Sequence, residues 1–227
     1  MQAEQASTQA SPLEVGLLRA ASPWGAPVQV LDETTSSNDE LLRLGEEGAP
    51  AGSLVFAERQ TAGRGQFHRP WASAPGLGLW FSLLLRLEIN DATIPSLSAF
   101  AAVAIVETAQ ALGVADCAIK APNDVLIAGR KVAGILIETR MGKSPSLSSF
   151  AVVGIGLNVN HSLPDFPPEL QPLATSFAMA SGALHDRHRV AALLLTNLGK
   201  NDRLMRESPE TLLARWNELL LPPGNPA

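Results

Sequence analysis

The chain has 227 residues, 46% of them hydrophobic, and a formal net charge of −5, enough for one large domain or two small ones with a core of their own. The acidic balance argues against nucleic acid as the main partner. A single cysteine, Cys117, rules out a disulfide framework within the chain and fits a reducing, cytoplasmic compartment. The first ten residues lack the basic start and apolar centre of a signal peptide. No stretch stays apolar for the roughly 18 residues a membrane span needs, so no membrane partner is expected.

Residues 1–27, polar and small and broken by Pro23 and Pro27, read as a flexible lead with one short helix around Leu13 to Ala20. Val28 to Leu31 is a strand candidate. Ser37-Asn-Asp-Glu40 has the pattern of a capping box opening a helix to about Leu44, stopped near Gly45 and Gly48. Ser53 to Ala57 and the long apolar run Leu77 to Leu87 are strands, the second buried. Pro95 to Leu112 is a helix buried on a wide face, with Pro95 in its first turn. A dense β region follows: Ala118 to Lys120, then Val125 to Ile127 and Lys131 to Thr139 as a hairpin around Gly129, then Phe150 to Val159. Pro164 to Pro172 reads as a connector, and Asp186 to Arg206 and Pro209 to Leu220 as helices. Hairpins inside a mixed order define an α+β class, with a mixed, largely antiparallel sheet flanked by helices.

Chemistry concentrates in Gln60-Thr-Ala-Gly-Arg-Gly-Gln-Phe-His-Arg-Pro-Trp71. Gly63 and Gly65 allow close approach of the backbone, Arg64 and Arg69 offer forks for a carboxylate or phosphate, and Trp71 offers a flat apolar face. Such a loop suits an anionic, partly aromatic small molecule; a surface turn with solvated arginines is the alternative. Lys120 in Lys-Ala-Pro-Asn-Asp124 needs a partner at a strand edge, and Asp124 is the local one. A tight hairpin brings Lys131 near the same place, where it opens an apolar strand; structural ion pairing is the other reading. Gly154-Ile-Gly-Leu-Asn-Val-Asn160 lacks the third glycine and following helix of a dinucleotide fingerprint. Asn158 beside Gly156 is placed to meet a base edge, or else the strand simply allows a close backbone approach. The histidines show no metal-ligand spacing, although magnesium carried on a nucleotide would leave no such signature.

In order and spacing, Glu33-Thr-Thr-Ser-Ser-Asn-Asp-Glu40, Gln60-Thr-Ala-Gly-Arg-Gly-Gln66, Arg69-Pro-Trp71, Lys120-Ala-Pro-Asn-Asp124, Gly129-Arg-Lys-Val-Ala-Gly-Ile135 and Gly154-Ile-Gly-Leu-Asn158 resemble biotin protein ligases. The resemblance implies a class II synthetase-like catalytic domain over 28–220, with 221–227 as a stub. It also implies ATP-dependent activation of biotin to biotinyl-5′-AMP, with Mg2+, and transfer of biotin to a lysine of a biotin carboxyl carrier protein. Lys131 would hold both carboxylate and phosphate. Arg64 and Arg69 would hold phosphate oxygens and cover the adenylate, with Lys120 and Asp124 in support. Ser36, Ser37, Asn38 and Gln60 would meet the ureido ring. Gly63, Gly65, the backbone of Gln66, and Gly134 would line the biotin site, while Trp71 and Asn158 would take adenine.

Gln66-Phe67-His68 replaces the more basic, glycine-containing centre of the family's loop, and Ala121 stands where a tryptophan is usual. An N-terminal DNA-binding domain and a small C-terminal β-barrel, present in many members, are not expected here. A homodimer is compatible with the resemblance. The alternatives are a lipoate- or octanoate-type ligase of the same superfamily and a biotin binder without ligase activity.

Overall fold

The computed structural model describes residues 11–90, 93–142 and 148–221. The strands are β1 (Val28–Thr34), β2 (Leu54–Gln60), β3 (Gly78–Arg86), β4 (Cys117–Lys120), β5 (Asp124–Ile127), β6 (Arg130–Arg140) and β7 (Phe150–Asn158). The helices are α1 (Val15–Ala21), α2 (Ser37–Glu46), α3 (Thr93–Ala111), α4 (Phe177–Ser181), α5 (Arg187–Glu207) and α6 (Pro209–Leu219). One seven-stranded sheet has the order β1-β2-β3-β7-β6-β5-β4. Only β1 and β2 pair parallel, because α2 is the crossover between them; every other named pair is antiparallel. The mixed, largely antiparallel sheet read from the sequence is the one observed.

Alternation along the strands sorts side chains onto two faces. Leu54, Phe56, Phe81, Leu83, Leu85, Ala151 and Val153 belong to the large core, together with buried residues of α3 and α5 and Leu212 of α6. The 19-residue α3 is long and apolar enough to cross a membrane by composition, but most of it is buried inside this core. Val55, Leu84, Phe150 and Val152 point the other way, onto Leu41 and Leu42 of α2. Along that second face β7 runs Phe150, Val152, Gly154, Gly156, and Gly156 pairs with Gly134 of β6. Apolar bulk therefore falls to nothing beyond the N-terminal end of α2, and a trough opens in the sheet face.

The two-residue turn Ala128–Gly129 has positive φ at both positions, 47° and 78°, the backbone a tight hairpin requires. It places Lys131 at the start of β6.

Two expectations change. The described part of the lead, 11–27, is packed rather than flexible: Leu13 and Leu18 are in the core. Arg187 donates to the Ser11 carbonyl and, through both terminal nitrogens, to Glu58, which also accepts from Leu13 N. Nor does Ser37 form a capping box: Ser36 is the N-cap and makes no side-chain cap bond. The Ser37 hydroxyl is drawn into the trough, and its backbone N–H donates to Gln60 Oε1 at 2.8 Å, so a neighbouring strand caps the helix. The short helix α4 inside the region after β7 had no signal strong enough to expect it.

Candidate active site

The trough is an open cleft of about 460 Å³ counting the part open to solvent. Four pieces of chain build it. Ser36, Ser37 and Asn38 come from the start of α2, and Gln60 from the end of β2. Arg64, Gly65, Gln66 and Trp71 come from the following loop, and Lys131 and Gly134 from β6. Asn123, Gly154 and Gly156 also line it; all three fall inside the quoted motifs, but none was named as a site residue.

One end has a polar floor. Ser37 Oγ is 3.2 Å from Gln60 Oε1, Ser82 Oγ is 2.8 Å from Ser37 Oγ, and Gln60 Nε2 donates to Ser73 Oγ at 3.1 Å. Asn38 lies flat on Gly154, where any Cβ would collide with its amide.

The loop folds back on itself through Gly65 N to the Arg69 carbonyl (2.8 Å) and Trp71 N to the Gly63 carbonyl (2.8 Å). A Cβ on Gly63 would stand 2.9 Å from the Trp71 carbonyl oxygen, so Gly63 shapes the loop from behind the lining. The Trp71 indole lies across Gly156 and Gly134: added Cβ atoms there would stand 2.5 and 2.8 Å from its ring atoms. It stands edge-on to Trp80, centroids 6.2 Å apart. In this structure Trp71 covers the trough itself, so stacking on adenine requires it to move.

Lys131 Nζ is 2.6 Å from Asp124 Oδ1 and 5.3 Å from the Trp71 ring centroid. Asp124 is thus the partner of Lys131 rather than of Lys120. Lys120 stands opposite Asp124 across the β4–β5 pair, is exposed and does not line the cleft. Lys131 also pairs by backbone with the segment after β7, its N–H donating to the Leu173 carbonyl at 2.7 Å and its carbonyl accepting from Thr175 N at 2.9 Å.

Arg64 forms a fork with Asp39, at 2.8 and 2.5 Å, and reaches Glu138 at 3.0 Å. Hydrogen bonding to Asp39 and the charge of Glu138 raise the Arg64 pKa above its ordinary value, against partial burial. Arg69 points away: it is exposed and outside the lining. Asn158 is buried and donates to the Thr175 carbonyl at 3.0 Å, so it too lies outside the open cleft.

Beneath Trp80, His161 is buried, edge-on to Trp80 and stacked on Phe166. Burial lowers its pKa to about 4, with Asp165 opposing. His188 accepts from Glu14 N at 2.9 Å and so helps hold the lead. The Cys117 thiol is pushed up to about 12 by burial, which fits a packing role.

A mixed sheet with a glycine-floored trough, a polar end and two cations held by carboxylates makes a candidate small-molecule site. Residues 29–158 match the biotin/lipoate A/B protein ligase family, and the chain belongs to that family. It is 40% identical over 172 residues to the bifunctional ligase/repressor BirA of Bacillus subtilis, covering 76% of this chain and 52% of that one. It is 35% identical over 189 residues to the biotin–[acetyl-CoA-carboxylase] ligase of Mycobacterium tuberculosis, covering 80% and 66%. The chain thus spans about half the length of the first relative and just under two thirds of the second. Among solved structures, the biotin protein ligase of Aquifex aeolicus in complex with biotin and ATP superposes with a TM-score of 0.72 at 28% identity, covering 86% of this chain and 78% of that one.

Proposed function

We propose that this chain activates biotin with ATP and transfers it to a lysine of a biotin carboxyl carrier protein. The observation that carries the reading is the convergence of Lys131 and Arg64, from separate elements, on a cleft whose far end is the polar floor Ser37–Asn38–Gln60. The biotin and ATP of the Aquifex complex support the choice of ligands.

In the first step an oxygen of the biotin carboxylate attacks the α-phosphorus of ATP, and the bond to the β-phosphate oxygen breaks, giving biotinyl-5′-AMP and pyrophosphate. Lys131 supplies a positive charge where negative charge gathers on the phosphorus oxygens, so its contribution grows toward the transition state. Arg64, kept at the cleft by Asp39 and Glu138, meets an anionic oxygen through its remaining N–H groups. Arg69, on the exposed side of the loop, would reach phosphate only as the loop closes. The polar floor meets the ureido ring, while Gly65, the Gln66 backbone, Gly63 and Gly134 leave room for the valeryl chain. Trp71 swings off its glycines to pack on adenine with Asn158 near its edge, and in doing so keeps water from the mixed anhydride. In the second step the carrier's neutral lysine amine attacks the acyl carbon, AMP leaves, and the amine's proton passes to a base; Asp124 is the nearest carboxylate to Lys131, with Lys120 close by on the surface.

Among the described residues no group of three or more His, Cys, Asp or Glu is arranged to hold a metal. Mg2+ would enter on the phosphates of ATP and shield their charge there. Cytoplasmic location and a homodimer belong to the same reading, supported by the one cysteine and by the family respectively.

The test is biotin-dependent exchange of labelled pyrophosphate into ATP, with a Lys131→Ala control. Exchange that falls by about a hundredfold in the control is the expected result. Exchange driven by lipoate or octanoate but not by biotin would replace biotin with those substrates. Biotin binding without exchange would make the chain a binder.

A further inference from the structure

The carboxylate of Glu138, on β6, serves two partners with different tasks. Its Oε2 accepts from Asn38 Nδ2 at 2.8 Å and from Arg64 Nη2 at 3.0 Å, and its Oε1 accepts from the same Nη2 at 3.2 Å. An ionised carboxylate only accepts, so the Asn38 amide must turn its NH2 toward Glu138. Its Oδ1 then faces Ser82 Oγ, 2.5 Å away. Ser82 is fully buried, and its single proton is committed to that bond. The Ser37 hydroxyl, 2.8 Å from Ser82 Oγ, is left to donate rather than accept there. One charge on β6 therefore sets the direction of the hydrogen bonds from Asn38 to Ser37, along the polar floor. The other partner, Arg64, carries the loop that covers the cleft, and it is held to Glu138 and Asp39 together.

We propose that Glu138 is a positioning residue that couples closure of the Arg64 loop to the orientation of Asn38 at the ring end of the cleft. A ligand whose ring needs the floor in this polarity then meets a loop already drawn over it. Without the charge, Arg64 loses one of its two holds and the Asn38 amide keeps only the long bond from Nδ2 to the Leu136 carbonyl, 3.4 Å, so that it can turn over and present an acceptor where a donor belongs. The proposal rests on the biotin reading for the identity of the ring.

The loop carries its own reporter. Trypsin cleaves after arginine but not before proline, so in Gln60–Trp71 the Arg69–Pro70 bond resists and Arg64–Gly65 is the susceptible bond. Cleavage after Arg64, read by mass spectrometry on the ligand-free chain, reports whether Arg64 is held. The second readout is calorimetric titration with biotin and with biotinol, whose ring is intact and whose carboxylate is reduced to an alcohol.

In Glu138→Gln, cleavage after Arg64 should quicken about tenfold, and biotin and biotinol should both bind about tenfold more weakly, the loss of one charge-assisted hydrogen bond. The thermal midpoint should stay near that of the parent chain. Glu138→Asp keeps the charge on a shorter stem and should fall between the two in both readouts; it carries the test if the glutamine variant does not fold. Unchanged cleavage overturns the hold on Arg64. Quickened cleavage with unchanged biotinol affinity overturns the coupling to Asn38. If the parent chain binds neither ligand, the biotin reading fails instead, and the tryptic rate alone then decides the hold on Arg64.

Discussion

Gly134 and Gly156 stand opposite each other in register on β6 and β7, and the Trp71 indole lies across both. The loop's aromatic face has its resting place on bare backbone. In Gly156→Ala the new methyl would stand 2.5 Å from the ring, so the indole must leave. The expected cost is about 1–3 kcal/mol, with a red shift of tryptophan emission as Trp71 meets water. Urea unfolding and emission spectra measure both, and an unshifted spectrum would show that the strand, not the indole, gives way.

Asp124 fixes the Lys131 ammonium at 2.6 Å. Replacing it by asparagine removes the charge while keeping the shape. Pyrophosphate exchange should drop about tenfold in kcat with little change in the KM for biotin, because the amine is displaced from the reacting oxygens and the floor is untouched. A change confined to KM would place Asp124 in ligand binding instead.

Arg187 is buried, with both terminal nitrogens on Glu58 and further bonds to the Gly78 and Ser11 carbonyls. Arg187→Ala leaves Glu58 without its partner and should cost about 3–5 kcal/mol in urea unfolding. Arg187→Lys should recover only part of that, since one ammonium cannot span both carboxylate oxygens. Full recovery would mean that charge alone, not the fork, matters there.

His161 has a folded pKa of about 4, below the ordinary value of about 6.5 that it has when unfolded. The unfolded chain therefore binds the proton more readily. Stability from keeping this ring neutral is complete above about pH 6.5 and is lost as pH falls toward 4, by about 3 kcal/mol in all. His185, lowered chiefly by burial, acts in the same direction. In His161→Gln the slope of unfolding free energy between pH 7 and 5 should flatten. A slope equal to that of the parent chain would mean the ring is solvated in the folded state.

Much of this was legible in the sequence, and the rest was hidden for physical reasons. Strands such as Gly78–Arg86 are apolar runs broken inside only by Ser82, and Pro95 and Gly113 punctuate α3, so elements and class followed. The residues named for the cleft at 36–38, 60, 64–66, 71, 131 and 134 do converge in it. What periodicity cannot show is which of two neighbours takes a charge. Lys120 and Lys131 both lie within reach of Asp124 in sequence, and only the hairpin turn decides for Lys131. Arg64 and Arg69 look equivalent until the loop turns one inward and the other out. Ser82 did leave a mark, a lone hydroxyl inside Leu-Trp-Phe-Ser-Leu-Leu-Leu, and so did Glu138 in the apolar β6; each marked a buried polar partner still to be found. The lead hid its packing because Leu13 and Leu18 follow a stretch of small and polar residues, 1–11.

The edge-on pair Trp71–Trp80 joins a residue of the Gln60–Trp71 loop to one fixed in the sheet. Two indoles this close mix their electronic transitions, and that mixing falls off with the cube of their separation. The chain should therefore carry a paired band of opposite signs in the circular dichroism of its tryptophans, one that fades as the loop lifts and returns as it settles. Loop position can then be followed in the unlabelled protein, in real time, by optical activity alone.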